Sequence, residues 1–109
     1  MERVYNKLVR DKIPDIIKKN NEECIITTLN EEEYKKALED KLVEELHEVL
    51  ESAGNNRIEE LSDMIEVITS LAKLEGKTLN DVIEASSKKK EKRGGFDNKI
   101  FLVKVTTKE

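Results

Sequence analysis

Between residues 31 and 75 the chain carries two long runs with aliphatic residues every three or four positions, parted only by Gly54-Asn55-Asn56. Such spacing puts the apolar side chains on one stripe of an α-helix. A glycine followed by two asparagines ends one helix before the next begins. Helices joined by so short a break must lie side by side and antiparallel. The pattern therefore predicts an all-α fold, with a helical hairpin over about 31–53 and 57–75 and a third helix packed on it.

The flanks carry start and stop signals. Asn30 followed three residues later by Glu33 has the form of a capping box, and Glu31 and Glu32 favour the positive end of the first long helix. The second long helix is expected to stop at Gly76, and Thr78 with Asp81 to start a third that runs to about Arg93 and halts at Gly94-Gly95. Pro14 suits a first helical turn, so residues 14–19 read as a short helix ended by Asn20-Asn21. Residues 4–10 read as an extended or irregular entry. Residues 24–29 (CIITTL) and 100–105 (IFLVKV) are rich in β-branched residues and read as strands, which would pair as a small two-stranded sheet. No linker or repeat divides residues 1–109, which read as one domain.

Composition removes several functional classes. One cysteine, Cys24, and one histidine, His47, cannot build a disulfide scaffold, a zinc ribbon or an iron–sulfur site. Cys24 reads as a small buried thiol and His47 as a surface residue on the polar side of its helix. No apolar run approaches the ~18–20 residues of a membrane span, and the opening MERVYNKLVRDKIP has no apolar core of a signal peptide. A cytoplasmic location without a membrane partner is expected. A net charge of −4 argues against nucleic acid as a partner.

The functional signal lies in the helical stripes. In the first long helix Leu38, Leu42, Leu46, Val49, Leu50 and Ala53 form the apolar face, but the 4-3-4 seam through Leu38, Leu42 and Val49 passes through Glu45. Glu48 follows three residues on, with Glu44 beside it. The second helix has a main apolar face at Leu61, Ile65, Ile68 and Ala72, and a second strip at Met64, Val67, Leu71 and Leu74. Stepping seven residues back from Val67 reaches Glu60, with Asp63 three after it. A helix apolar on two sides is buried on two sides, which in so short a chain implies an oligomer. Buried like charges are costly unless a cation sits among them, and carboxylate oxygens are the natural donors to Mg2+. In an antiparallel hairpin Glu45 and Glu48 meet Glu60 and Asp63 beside the turn. Against this, a chain with 24 acidic residues produces such spacings by chance, and Glu51 and Glu66 read as plain solvated charges.

Glu44-Glu45-x-x-Glu48 followed by Glu59-Glu60-x-x-Asp63 resembles the signature of the all-α nucleoside triphosphate pyrophosphohydrolases, the group of MazG proteins, dimeric dUTPases and phosphoribosyl-ATP pyrophosphohydrolases. The segments from Tyr5 to Pro14 (YNKLVRDKIP) and from Lys92 to Phe96 (KRGGF), with Ile100-Phe101-Leu102 after it, resemble the MazG-like branch described as predicted house-cleaning pyrophosphatases. The resemblance covers nearly the whole chain. It implies a MazG-like helical bundle that hydrolyses nucleoside triphosphates, noncanonical ones in particular, between the α and β phosphates. It further implies Mg2+, or Mn2+ in its place, held by Glu45, Glu48, Glu60 and Asp63, and an active site built within a homodimer or homotetramer. The gap between the two acidic pairs is short for the family, which implies a tight hairpin and a shallow pocket.

Under that resemblance a carboxylate positions or deprotonates the attacking water, with Glu44, Glu45 and Glu59 as the catalytic candidates. Lys7, Arg10, Asp11 and Lys12 near the start, and Lys89 and Arg93 on the third helix, are the candidates for binding substrate. Lys89 and Arg93 are four apart and share a helical face, and arginine can clamp phosphate through two donors. The plainer reading of the lysines is a basic helix C-terminus favoured by the dipole, and of Asp11 a cap before Pro14. Phe96 could stack on a base or simply pack. Two other functions fit the same residues: a non-catalytic nucleotide-binding or regulatory oligomerisation module, and a phosphoribosyl-ATP pyrophosphohydrolase.

Overall fold

The computed structural model describes residues 1–108, and among them every regular element is a helix. α1 spans Ile13–Lys19, α2 Glu31–Glu51, α3 Gly54–Leu74 and α4 Leu79–Arg93. α2 and α3 pack along their length as an antiparallel hairpin, while α4 touches α3 alone.

Local chemistry sets the helix ends. The Asn30 side chain accepts from the Glu33 N–H at 2.8 Å, and the Asn30 N–H donates to the Glu33 carboxylate at 3.1 Å, a complete capping box. Thr78 and Asp81 repeat the arrangement at the start of α4. α3 ends in a Schellman motif: the Lys77 N–H donates to the Ala72 carbonyl at 2.9 Å and the Gly76 N–H to the Lys73 carbonyl at 3.0 Å. Gly76 adopts the left-handed conformation this closure needs, with φ of 72°.

The turn between α2 and α3 is tighter than the sequence suggests. Gly54, Asn55 and Asn56, expected to form the break, are instead the first turn of α3. Only Ser52 and Ala53 lie outside a helix. The Ser52 hydroxyl donates to the Val49 carbonyl at 2.9 Å, and Arg57 Nε donates to the Ser52 carbonyl at 3.0 Å, so the groups freed by the turn find local partners.

Segments 24–29 and 100–105 carry no regular secondary structure and form no sheet. A lone two-stranded ribbon gains too little burial to hold together in water, and the large apolar side chains from Ile25 to Ile26 and from Ile100 to Val103 stay exposed here.

The core is small. Leu38, Val67 and Ala72 are the only buried apolar side chains among the described residues. The strip of α3 turned to α2 is the one through Val67, and the face expected to dominate is open at Leu61 and Ile65, 39% and 48% exposed, while Ile68 is half-buried and Ala72 buried. On α2, Val43, Leu46 and Leu50 are likewise exposed. Advancing ~100° per residue along two antiparallel helices brings these open residues together on one side of the hairpin. Glu44, Glu48, Glu59 and Asp63 fall toward the other. The chain is long, 70 × 33 × 24 Å, with a radius of gyration of 19.1 Å, against the ~13 Å of a compact domain of this length.

The capping box at the head of α2 gives a direct test. Asn30→Ala should lower stability by about 1 kcal/mol, whereas Asn30→Gly should cost only a few tenths. At fixed protein concentration the alanine variant should lose about 4–8 °C of thermal midpoint, read by helical circular dichroism.

Candidate metal centre

α2 brings Glu45 into the seam and α3 brings Glu60 and Asp63 to meet it. One carboxylate oxygen from each lies within 4.8 Å of the others. Glu45 is the only buried charged residue among those described, with 9% of its side chain exposed. Its Oε1 lies 3.6 Å from Lys41 Nζ, while Oε2 is buried with no hydrogen-bond partner. An orphaned acceptor of this kind costs about 1–3 kcal/mol.

The electrostatics follow from this geometry. Burial pushes the Glu45 carboxyl above its ordinary value, Lys41 opposes the shift, and the charges of Asp63, Glu44 and Glu60 add to it. Glu60 is also raised, by partial desolvation first and then by Glu48, Asp63 and Glu59. Glu48 is therefore near enough to be felt, although its side chain is exposed and its carboxylate stands outside the three-residue cluster. Glu44 is shifted the other way, held low by hydrogen bonds from Lys7 and Lys41.

The N-terminal segment supplies cations to the acidic side. Lys7 Nζ donates to Glu44 at 2.8 Å and Arg10 donates to Asp63 at 2.8 Å. Lys41 reaches Glu44 from within α2 at 2.9 Å. This meeting links residues 37 and 53 apart in sequence, and only the folded hairpin makes it visible. Lys41, whose ammonium faces both Glu44 and Glu45, was missed by the sequence reading. Its i,i+3 and i,i+4 spacing to those acids was the available signal.

The remaining candidates stand apart. Asp11 and Lys12 are exposed at the entry to α1. Lys12 is the residue before that helix and no side chain caps it, so Asp11 does not serve as the cap. Glu59 is exposed one position before Glu60. Lys89 and Arg93 lie on the exposed length of α4 and make no ion pair among the described residues. His47 is exposed, Cys24 is half-buried, and Phe96 is fully open to solvent. A hollow of about 220 Å³ separates Leu8 and Asn6 from Ala37 and Lys41 of α2. That is below the ~300–1,000 Å³ of pockets that enclose a drug-sized ligand.

The donor set suits a hard divalent cation, which takes oxygen ligands and gains from carboxylates that have no other partner. Glu45 Oε2 is such an oxygen. No protein-family model matches the chain, and neither does any curated protein or solved structure.

The raised Glu45 carboxyl has a signed consequence. A carboxyl whose folded value exceeds its unfolded value adds stability below the ordinary carboxylate range, and that stability is lost as pH rises through the folded value. At neutral pH in EDTA the charged Glu45 is a net cost. Glu45→Gln should therefore raise the thermal midpoint there by a few degrees, for about 1 kcal/mol regained. It should also flatten the loss of stability above the usual carboxylate range, followed by melts across pH.

Proposed function

We propose that this chain is a divalent-cation-dependent nucleoside triphosphate pyrophosphohydrolase that acts as a homo-oligomer. The observation that carries the reading is the buried Glu45 carboxylate, with an oxygen that has no partner, facing Glu60 and Asp63. The resemblance of the two acidic pairs and their flanks to the MazG-like branch supports the same reading. It favours noncanonical triphosphates as substrates.

In this proposal Glu45, Glu60 and Asp63 hold Mg2+, with Glu48 completing the set from the same side. When bound, the ion supplies charge neutralisation to the phosphates and makes a nearby water more acidic. The chain's own groups do the rest. Glu44, kept ionised by Lys7 and Lys41, accepts a proton from the attacking water, or Glu59 does so from α3. The water oxygen bonds to the α-phosphorus and the bond to the bridging oxygen breaks. Pyrophosphate leaves and the monophosphate remains. Lys7 and Arg10 already lie against the acids and need only a short movement to meet phosphate oxygens. Arginine offers the bidentate contact and lysine a point charge. Positioning and charge neutralisation dominate such a reaction.

Self-association has its own support. Three buried apolar side chains are a slight core for the 108 described residues. Val43, Leu46 and Leu50 of α2, with Ile58, Leu61 and Ile65 of α3, form an open aliphatic surface that a second copy would cover. The small hollow beside the acids also implies that a whole nucleotide is enclosed only with help from another copy.

A second reading has one observation in its favour. Lys7, Arg10 and Lys41 already neutralise much of the acidic side, so the cluster would serve a structural role in a regulatory module. The two readings separate cleanly. Pyrophosphate release from a panel of canonical and modified nucleoside triphosphates should require Mg2+ and cease in EDTA. Glu45→Gln and Asp63→Asn should each lower turnover at least a hundredfold while the helical signal stays intact. Full activity in either variant would remove the assigned centre, and silence across the panel from folded protein would favour the regulatory module. Mg2+ should also raise the thermal midpoint of the unmodified chain and leave that of Glu45→Gln unmoved.

A further inference from the structure

Segments 24–29 and 100–105 have strand composition without strand partners. Ile25 and Ile26 are 102% and 65% exposed, and Ile100, Phe101, Leu102, Val103 and Val105 are all at least 72% exposed. Among the described residues, no backbone N–H or carbonyl of either segment is paired. Backbone with free donors and acceptors, carrying β-branched and apolar side chains, is the material of strand addition.

We infer that the two segments pair between copies: residues 24–29 of one chain form a ladder with 100–105 of a second, and the reverse pairing closes a two-fold exchange. Three features select a second copy of this chain as the occupant. Both segments are six residues long and occur once per chain, so reciprocal exchange leaves neither unmatched. Their charges are complementary. With Cys24 opposite Val105 in an antiparallel ladder, Glu23 falls diagonal to Lys104, and with Cys24 opposite Ile100 in a parallel one it faces Lys99. Finally, α4 leaves the hairpin: it touches only α3, its side chains from Asn80 to Arg93 are all exposed, and its 15 residues carry the tail ~22 Å onward.

An antiparallel ladder with Cys24 opposite Val105 places Ile26 opposite Val103 and Thr28 opposite Phe101. That gives one face of cross-strand apolar contacts with the native thiol at its end. The inference rests on the self-association proposed above and is independent of the hydrolase chemistry.

Cys24 makes the pairing testable in the full-length chain. Val105→Cys reports the antiparallel register and Ile100→Cys the parallel one. Lys88→Cys on exposed α4 is the control. Each variant is prepared with and without 15N label, mixed in equal amounts in denaturant, refolded together, and oxidised with diamide. The expected result is a disulfide from Cys24 to residue 105 or 100 that joins labelled to unlabelled peptide, formed at least tenfold faster than in the control. Val103→Pro, which removes a ladder donor in an exposed segment and leaves the helices alone, should slow that cross-link at least fivefold, and Val103→Ala should not. Disulfides confined to single-isotope peptides would mean pairing within one chain and would overturn the inference. An oligomer by light scattering that cross-links no faster than the control would overturn it too while leaving self-association standing. A monomer would remove both.

Discussion

The carboxylate of Glu45 lies inside the α2–α3 seam, where an ordinary hairpin would place a leucine, and water reaches only a small part of it. Removing a charge from water costs far more than a leucine at that position would return. The surroundings respond to that cost. Lys41 comes within 3.6 Å from one turn earlier in α2, and Lys7 and Arg10 cross from the N-terminal segment to the neighbouring acids. These cations gather on the acidic flank, yet one buried oxygen is left without a partner. A fold selected for stability alone would have no reason to keep it.

The same constraint gives the hairpin two unlike sides. The flank holding Glu44, Glu48 and Glu59 is charged and partly covered by residues 7–10. The opposite flank, from Val43 to Leu50 and from Ile58 to Ile65, is aliphatic and open. The charged flank and the aliphatic flank therefore share no residues, although one pair of helices carries both.

Much of this was legible in the sequence because it is local. Asn30 with Glu33 and Thr78 with Asp81 set their helix starts over three residues, and Gly76 set its helix stop over five. Glu45 announced itself by breaking a 4-3-4 seam. What escaped depends on distant partners or near-equal choices. α3 carries two apolar strips of similar strength, and only its packing against α2 decides that Val67 rather than Ile65 turns inward. Asn55 and Asn56 are poor helix formers, but Gly54, with φ of 58°, completes the turn before them and lets them join α3. Segments 24–29 and 100–105 have the composition of strands, and composition cannot supply the partner that makes a ladder. The crossing of Lys7 and Arg10 to Glu44 and Asp63 has no local signal at all.

The two-residue turn at Ser52-Ala53 also governs the order in which the molecule comes into being. Nearly all tertiary contact joins α2 to the helix that follows it immediately, so little loop entropy opposes closure, and such local topologies fold in microseconds to milliseconds. Synthesis is far slower, at ~5–20 residues per second. The 35 residues from Glu75 to Glu109 follow Leu74, and adding them takes roughly 2–7 s at that rate. The elements that form the acidic centre are thus all synthesised before α4 and the tail exist. Vectorial synthesis separates the two halves of the chain in time as the turn and the divergent α4 separate them in space.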